Sequence, residues 1–262
     1  MNEKKNQTDV VCAATAVATA CANGAMLPSD IMRAKTFTSS DGQKIPYRFY
    51  APEGDRKQKI PLILFLHGAG ERGNNNSSQL LHCVPSLLRY IIDGKHPAIV
   101  IAPQCPNGMQ WVNTPFNDTS HTMPEKPSKA LQAVIELLHK EISANPVDES
   151  RIYVSGISMG GFGTWDLLQR FPEKFAAAFP ICGGGDTNLA SRLIEIPIVS
   201  VHGTEDASVP VMRTSSMFQA IKKAGGTKMS FIERRGEGHN VWTDAYDNDK
   251  NLDWLFAQRR PD

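Results

Sequence analysis

The sequence predicts an α/β architecture, a mostly parallel sheet flanked by helices, and three observations carry that prediction. Short continuous apolar runs recur along the chain, as strands buried on both faces require. Stretches with apolar residues at three- and four-residue steps separate them, the pattern of helices packed on a sheet. The sharpest local motif, Gly156-Ile157-Ser158-Met159-Gly160-Gly161, stands directly after one such run and directly before one such stretch.

In chain order, residues 35–39 and 45–51 read as strands joined by the turn residues Asp41 and Gly42. The continuous runs at 61–67, 98–103, 151–155, 175–181 and 196–202 are the buried strands, and 229–234 is the last strand. Residues 128–143 place Leu131, Val134, Ile135, Leu138 and Ile142 on one helical face. Residues 159–170, 210–224 and 251–258 are the other predicted helices, the second of these three stopped by Gly225 and Gly226. The connection from Ile181 to Ile196 is too short for a large lid domain. Residues 104–127 form a long irregular stretch of a length that is commonly functional.

At 262 residues, 41% of them hydrophobic, the chain suffices for one domain with a large core, placed at 36–260. Its 28 basic and 27 acidic residues are mixed along the chain and give a net charge of +1. There is no basic stripe, so nucleic acid is not an expected partner. No apolar run reaches the roughly 18–20 residues of a membrane-spanning helix, so no membrane span is expected. Cys12, Cys21, Cys83, Cys105 and Cys182 are scattered without a CxxC pair, which signals neither a metal site nor a disulfide framework. They read as buried small hydrophobes, with a disulfide among Cys83, Cys105 and Cys182 as the alternative for an exported protein.

Residues 1–22 read as a signal peptide, with a disordered tail as the alternative. Lys4 and Lys5 supply the basic start, residues 10–22 carry no charge, and Ala20-Cys21-Ala22 is a small-x-small cleavage site. Residues 18–21 also approach a lipoprotein signal. The expected location is secreted or periplasmic, and cytoplasmic if the segment is not a signal.

A GxSxG motif between strand and helix is the context of a nucleophile elbow, which identifies Ser158 as a nucleophile and the fold as an α/β-hydrolase. Glycines two before and two after the serine admit the close approach of strand and helix. A serine hydroxyl needs a base, and the base an orienting carboxylate, in the chain order serine, acid, histidine. Of the two downstream histidines, His202 closes a strand and reads as structural. His239 lies in a glycine-flanked, mobile loop after the last strand and is the expected base. Asp206, in the loop past the strand at 196–202, is the expected acid, because ligand-binding and catalytic groups gather at the carboxyl ends of parallel strands. Asp186 is its rival, and Asp244 is out of order. The oxyanion hole is expected from the backbone amides of Met159 and Ala69, with Gly70 as the alternative to Ala69. His67 is expected to fix its loop by hydrogen bonding. Trp111 reads equally as a substrate-binding residue and as a packing anchor, while Glu71 and Arg72 either line the cleft or pair with each other on the surface.

The motifs together resemble a known group. They are His67-Gly68-Ala69-Gly70-Glu71-Arg72-Gly73-Asn74-Asn75, Ala102-Pro103-Gln104-Cys105-Pro106, residues 151–161, Pro180-Ile181-Cys182-Gly183-Gly184-Gly185 and Gly238-His239-Asn240-Val241-Trp242. In order and spacing the chain is similar to bacterial esterases labelled predicted peptidases, relatives of dienelactone hydrolases, feruloyl esterases and the catalytic domain of prolyl oligopeptidases. The resemblance covers roughly residues 37–258. It implies an eight-stranded α/β-hydrolase sheet, metal-free acyl transfer without a cofactor, and activity on short acyl or aryl esters; the open cleft expected without a lid also suits esters linked to polysaccharide. It carries Ser158, Asp206 and His239 onto the triad positions. Dienelactone hydrolases use a cysteine where this chain has Ser158, and prolyl oligopeptidases carry a large propeller. The reading is therefore a serine esterase, with a serine peptidase or amidase and a non-catalytic binding protein on the same scaffold as the rivals.

Overall fold

A computed structural model describes residues 27–54 and 58–261, so the predicted signal segment, with Cys12 and Cys21, lies outside the described residues. The strands are β1 (Arg33–Thr38), β2 (Lys44–Tyr50), β3 (Ile60–Leu66), β4 (Ile99–Pro103), β5 (Val147–Ile157), β6 (Ala177–Ile181), β7 (Ile198–Gly203) and β8 (Met229–Arg234). They form one sheet in the order β1-β2-β4-β3-β5-β6-β7-β8. From β4 to β8 every neighbouring pair is parallel. The β1–β2 and β2–β4 pairs are antiparallel, so the sheet is mixed, with its antiparallel part confined to one edge.

The helices are α1 (Pro28–Ile31), α2 (Val84–Asp93), α3 (Lys129–Ala144), α4 (Met159–Arg170), α5 (Met212–Lys223), α6 (Trp242–Asp247) and α7 (Asp249–Ala257). Because successive strand side chains point to opposite faces, one apolar run feeds two cores. From β3, Leu62, Leu64 and Leu66 pack with Leu131 and Val134 of α3, Trp165 and Leu168 of α4, and Met217 and Ile221 of α5. Ile63 and Phe65 pack on the other face with Leu87, Leu88 and Ile91 of α2 and Leu252 and Leu255 of α7. This double burial is why the strand reads as continuously apolar rather than alternating.

Two departures from the sequence expectation have local causes. Helix α2 was not expected, although Val84, Leu87, Leu88 and Ile91 hold helical spacing. Its entry is masked by Cys83 in a left-handed conformation (φ 64°) and by Pro85, which is well tolerated in a first helical turn. Strand β5 begins four residues before the predicted 151–155 run, and its register against β3 shifts between Ile60 and Leu62. Between β6 and β7 there is only a 3₁₀ segment, Thr187–Leu193, and no inserted lid. Cys83, Cys105 and Cys182 are all buried free thiols, so the disulfide alternative is not realised. Among the described residues no helix is long and apolar enough to cross a membrane.

The turn from β5 into α4 places the functional residues. A Cβ on Gly156 would meet the Gly160 carbonyl, and one on Gly160 would land on the Leu66 carbonyl oxygen. Gly160→Ala is therefore expected to destabilise the fold by about 3 kcal/mol or more, because backbone atoms must move to admit the methyl group. Gly70→Ala, where a Cβ meets nothing within 4 Å, should change stability by about 0.5 kcal/mol or less. Urea unfolding of the two variants measures the contrast.

Candidate active site

Ser158 occupies the junction of β5 and α4 with φ 52° and ψ −117°, a conformation that L side chains rarely adopt. Such a residue stores on the order of 1–3 kcal/mol of strain, and the surroundings must hold it there. The Ser158 amide donates to the Ile181 carbonyl at 2.9 Å, and the neighbouring glycines leave no side chain to obstruct the turn. The hydroxyl is thereby lifted to the rim of a cleft, where Oγ donates to His239 Nε2 at 2.8 Å. On the far side of the ring, His239 Nδ1 donates to Asp206 Oδ2 at 2.6 Å.

Asp206 follows the carboxyl end of β7, and its carboxylate is saturated with donors. Oδ1 accepts from the Ser208 and Val209 amides, each at 2.9 Å, while Oδ2 accepts from His239 and also from His202 Nε2 at 3.1 Å. Burial opposes ionisation of this carboxyl. The hydrogen bonds from His202, His239 and the Val209 amide outweigh it and hold the group well below the usual carboxylate range. His202, expected to be structural, is fully buried behind the acid. Its Nε2 also faces the Val209 carbonyl at 2.9 Å, and Nδ1 lies 2.8 Å from the Thr214 hydroxyl, which donates to the Gly183 carbonyl.

Cys182, His202 and Asp206 bring three potential ligand atoms within 4.8 Å of one another. The donor chemistry does not fit an ion. His202 Nε2 faces two acceptor oxygens, so it carries a proton and has no lone pair to give. The Cys182 thiol donates to the His239 carbonyl at 3.3 Å, and burial, reinforced by the Asp206 charge, pushes it well above the ordinary thiol range.

The loop carrying His239, expected to be mobile, is held by backbone contacts. The Glu205 amide donates to the Glu237 carbonyl at 2.9 Å, and Gly203 lies so close that a Cβ there would strike the Gly238 carbonyl. Trp242 stands edge-on to the His239 ring at 5.2 Å. The rival acid, Asp186, is engaged elsewhere. Its oxygens accept from the Met123 and Asn188 amides at 2.9 and 3.0 Å. Asp244 pairs with Arg234.

The loop after β3 forms the opposite wall. His67 donates from Nδ1 to the Gly68 carbonyl at 2.6 Å and accepts the Cys105 amide on Nε2 at 2.8 Å. Burial, with Arg72 adding to it, brings this imidazole down to about 4, so it is neutral and fixes the loop. Ala69 and Met159 are the first residues of a 3₁₀ turn (Ala69–Glu71) and of α4, positions whose amides have no acceptor within their own helix.

Trp111 requires a correction. It is 0% exposed, donates to the His67 carbonyl at 3.1 Å and packs against the His67 ring, so it supports the loop from beneath and does not reach substrate. The long 104–127 stretch is anchored around it. Ser128 donates to the Gln110 and Trp111 carbonyls, Arg72 to that of Met109, Arg213 to that of Pro115 and Arg170 to that of Pro124. The aromatic side chains on the cleft are Phe116, which has no distinguishing sequence signal, and Trp242, which ends the Gly238–Trp242 motif and reads from sequence as a core or helix-packing residue.

The cleft has a volume of about 260 Å³ and is lined by Ser158, His239, Phe116, Trp242, Val209 and the Gly68–Glu71 segment. Glu71 belongs to this wall, while Arg72 turns away to the Ala69 carbonyl at 2.8 Å, so of the two expected cleft residues Glu71 alone lines it.

Comparison with known proteins places this geometry in a family. Residues 52–248 match the phospholipase/carboxylesterase family model. A bifunctional acetylxylan esterase/xylanase of Neocallimastix patriciarum is 28% identical over 60% of this chain, and a probable feruloyl esterase C of Aspergillus terreus is 25% identical over 76% of this chain and 69% of its own. The crystal structure of a thermostable esterase superposes with a TM-score of 0.80 at 37% identity, covering 88% of this chain and 64% of that one. The chain spans only about a fifth of the length of the first two curated relatives it matches. With an eight-stranded α/β-hydrolase sheet and a family match over most of its length, the chain belongs to the phospholipase/carboxylesterase family.

Proposed function

We propose that this protein is a serine carboxylic-ester hydrolase with Ser158 as nucleophile, His239 as base and Asp206 as acid. The observation that carries the reading is the line Ser158 Oγ–His239–Asp206, with hydrogen bonds of 2.8 and 2.6 Å opening on one cleft. Ser158 Oγ attacks the ester carbonyl carbon while its proton passes to His239 Nε2. The carbonyl oxygen takes the negative charge against the Met159 and Ala69 amides. Collapse of this intermediate breaks the ester C–O bond, and the His239 proton leaves with the alcohol. Water then repeats the sequence on the acyl-enzyme, losing a proton to His239 and releasing the acid and free Ser158. Every group in the scheme is protein-borne, so neither metal nor cofactor is required.

The substrates proposed are short acyl or aryl esters, including ester decorations of plant polysaccharide. Relatives named acetylxylan esterase and feruloyl esterase support this, as does a cleft uncovered by any lid among the described residues. Export as a secreted or periplasmic protein is part of the proposal. It rests on the Lys4-Lys5 start, the uncharged residues 10–22 and a similarity to a protein described as secreted.

Ser158→Ala should lower kcat by on the order of 10⁶, with the fold intact, and adding His239→Ala should cost little more, because the groups act as a unit. Asp206→Asn should cost roughly 10⁴, whereas Asp186→Asn should keep most activity. Steady-state kinetics on a p-nitrophenyl ester ranks them, and a serine-directed phosphonate should label Ser158. Equal losses in the two aspartate variants would remove Asp206 from its role.

A second expectation concerns pH. The Asp206 carboxyl is held low in the folded protein and returns to about 3.9 on unfolding, so its ionised form stabilises the fold above that value. That contribution fades as pH falls toward the folded value. The unfolding free-energy difference between wild type and Asp206→Asn should narrow as pH falls below about pH 4. A difference that grew as pH fell below about 4 would contradict the assignment.

A further inference from the structure

Glu71 is the charged group on the cleft that the triad chemistry leaves unused. It is only 8% exposed, yet among the described residues no hydrogen-bond donor reaches its carboxylate. His82 Nε2 stands 3.6 Å from Oε1, within ion-pair distance when the imidazole is protonated but beyond hydrogen-bond range, and the neighbouring Arg72 donates instead to the Ala69 and Met109 carbonyls at 2.8 and 3.2 Å. Its oxygens face the cleft, and an ionised carboxylate can only accept hydrogen bonds. The cleft therefore presents an acceptor, not engaged by a protein hydrogen-bond donor among the described residues, that a substrate donor can meet.

The location of that acceptor limits what fills it. A Cβ built on Gly68 would lie 3.0 Å from Glu71 Oε2 and 3.6 Å from Ser158 Cβ, so the carboxylate and the nucleophile border the same small space. A group bound by Glu71 must sit within one or two atoms of the ester being cleaved. A carboxylate on the substrate is repelled there, and an ether or methyl group leaves the acceptor empty. A hydroxyl on the carbon next to the esterified one supplies the donor at the required reach. The aromatic rings of Phe116 and Trp242, on the same cleft, offer apolar surface to the carbon skeleton of such an alcohol.

We propose that Glu71 is a specificity residue that accepts a hydrogen bond from a hydroxyl adjacent to the scissile ester, so that the preferred substrates are partly acylated polyols and sugars. The proposal rests on Ser158 being the nucleophile at this cleft. The matched probes are 2-hydroxyethyl acetate and 2-methoxyethyl acetate, which differ in the donor, and 2-(dimethylamino)ethyl acetate, which carries a cation at the same place.

In the wild type, kcat/KM should favour the hydroxyl ester over the methyl ether by about 10- to 100-fold, the worth of one hydrogen bond to a charged acceptor. Glu71→Gln, which keeps the shape and one acceptor oxygen, should reduce that ratio. Glu71→Leu should bring it to about one. A wild-type ratio near one, a ratio unchanged in both variants, or a preference for the cationic ester would overturn the assignment of Glu71 while leaving the catalytic reading in place, provided Ser158→Ala abolishes turnover. Turnover that survives Ser158→Ala would overturn the catalytic reading, and the role of Glu71 with it.

Discussion

Strand β5 reverses into helix α4 through a single left-handed residue, and the reversal requires backbone to touch backbone. Gly160 presses on the Leu66 carbonyl at the end of β3, Gly156 on the Gly160 carbonyl, and Gly161 on the end of β6 at Ile181. A side chain at any of these positions would force apart the backbone segments that meet there. The strain at Ser158 persists because these contacts over-determine the turn. The same packing that buries Leu66 and Ile181 in the two cores thus fixes where the hydroxyl stands.

The second constraint is electrostatic. Asp206 is buried, and four donors surround its two oxygens, two of them backbone amides and two histidine rings. Amides of the 206–209 turn are fixed by the chain itself, so they hold the carboxylate without side-chain entropy to lose. His202 sits on β7 and is in turn locked through Thr214 of α5 to the Gly183 carbonyl. The acid is therefore braced against both the sheet and a helix, and the His239 ring meets a carboxylate of settled orientation.

Much of this architecture is legible in the sequence, for reasons that differ by element. The buried strands announce themselves because double-sided burial leaves few polar residues, and Ser158 because its turn requires glycines two residues before and two after it. Asp206 and His239 are legible as candidates by chain order and by their places after β7 and β8, and the structure brings both to Ser158. The motif pair around His67 and Cys105, far apart in sequence, is joined by the Cys105 amide on His67 Nε2. What is hidden is side-chain direction. Trp111 and Phe116 lie five residues apart in the same irregular stretch, and only the folded chain sends the first inward under His67 and the second to the cleft. Nothing local distinguishes a Glu71 paired with Arg72 from one facing the nucleophile. Helix α2 shows its apolar stripe but begins at a left-handed cysteine and a proline, which resemble a loop.

The 104–127 stretch has anchors of an unusual distribution. Its carbonyls are held by Arg72, Arg170, Arg213 and Ser128, and the Met123 amide by Asp186, all residues outside the stretch. The scaffold supplies the sockets, while the stretch supplies Phe116 to the cleft and Trp111 to the floor beneath it. Such a segment is an exchangeable cassette. Recombination between relatives that share the sockets can swap the whole stretch and recast the mouth of the cleft, while the elbow and the braced acid are inherited unchanged.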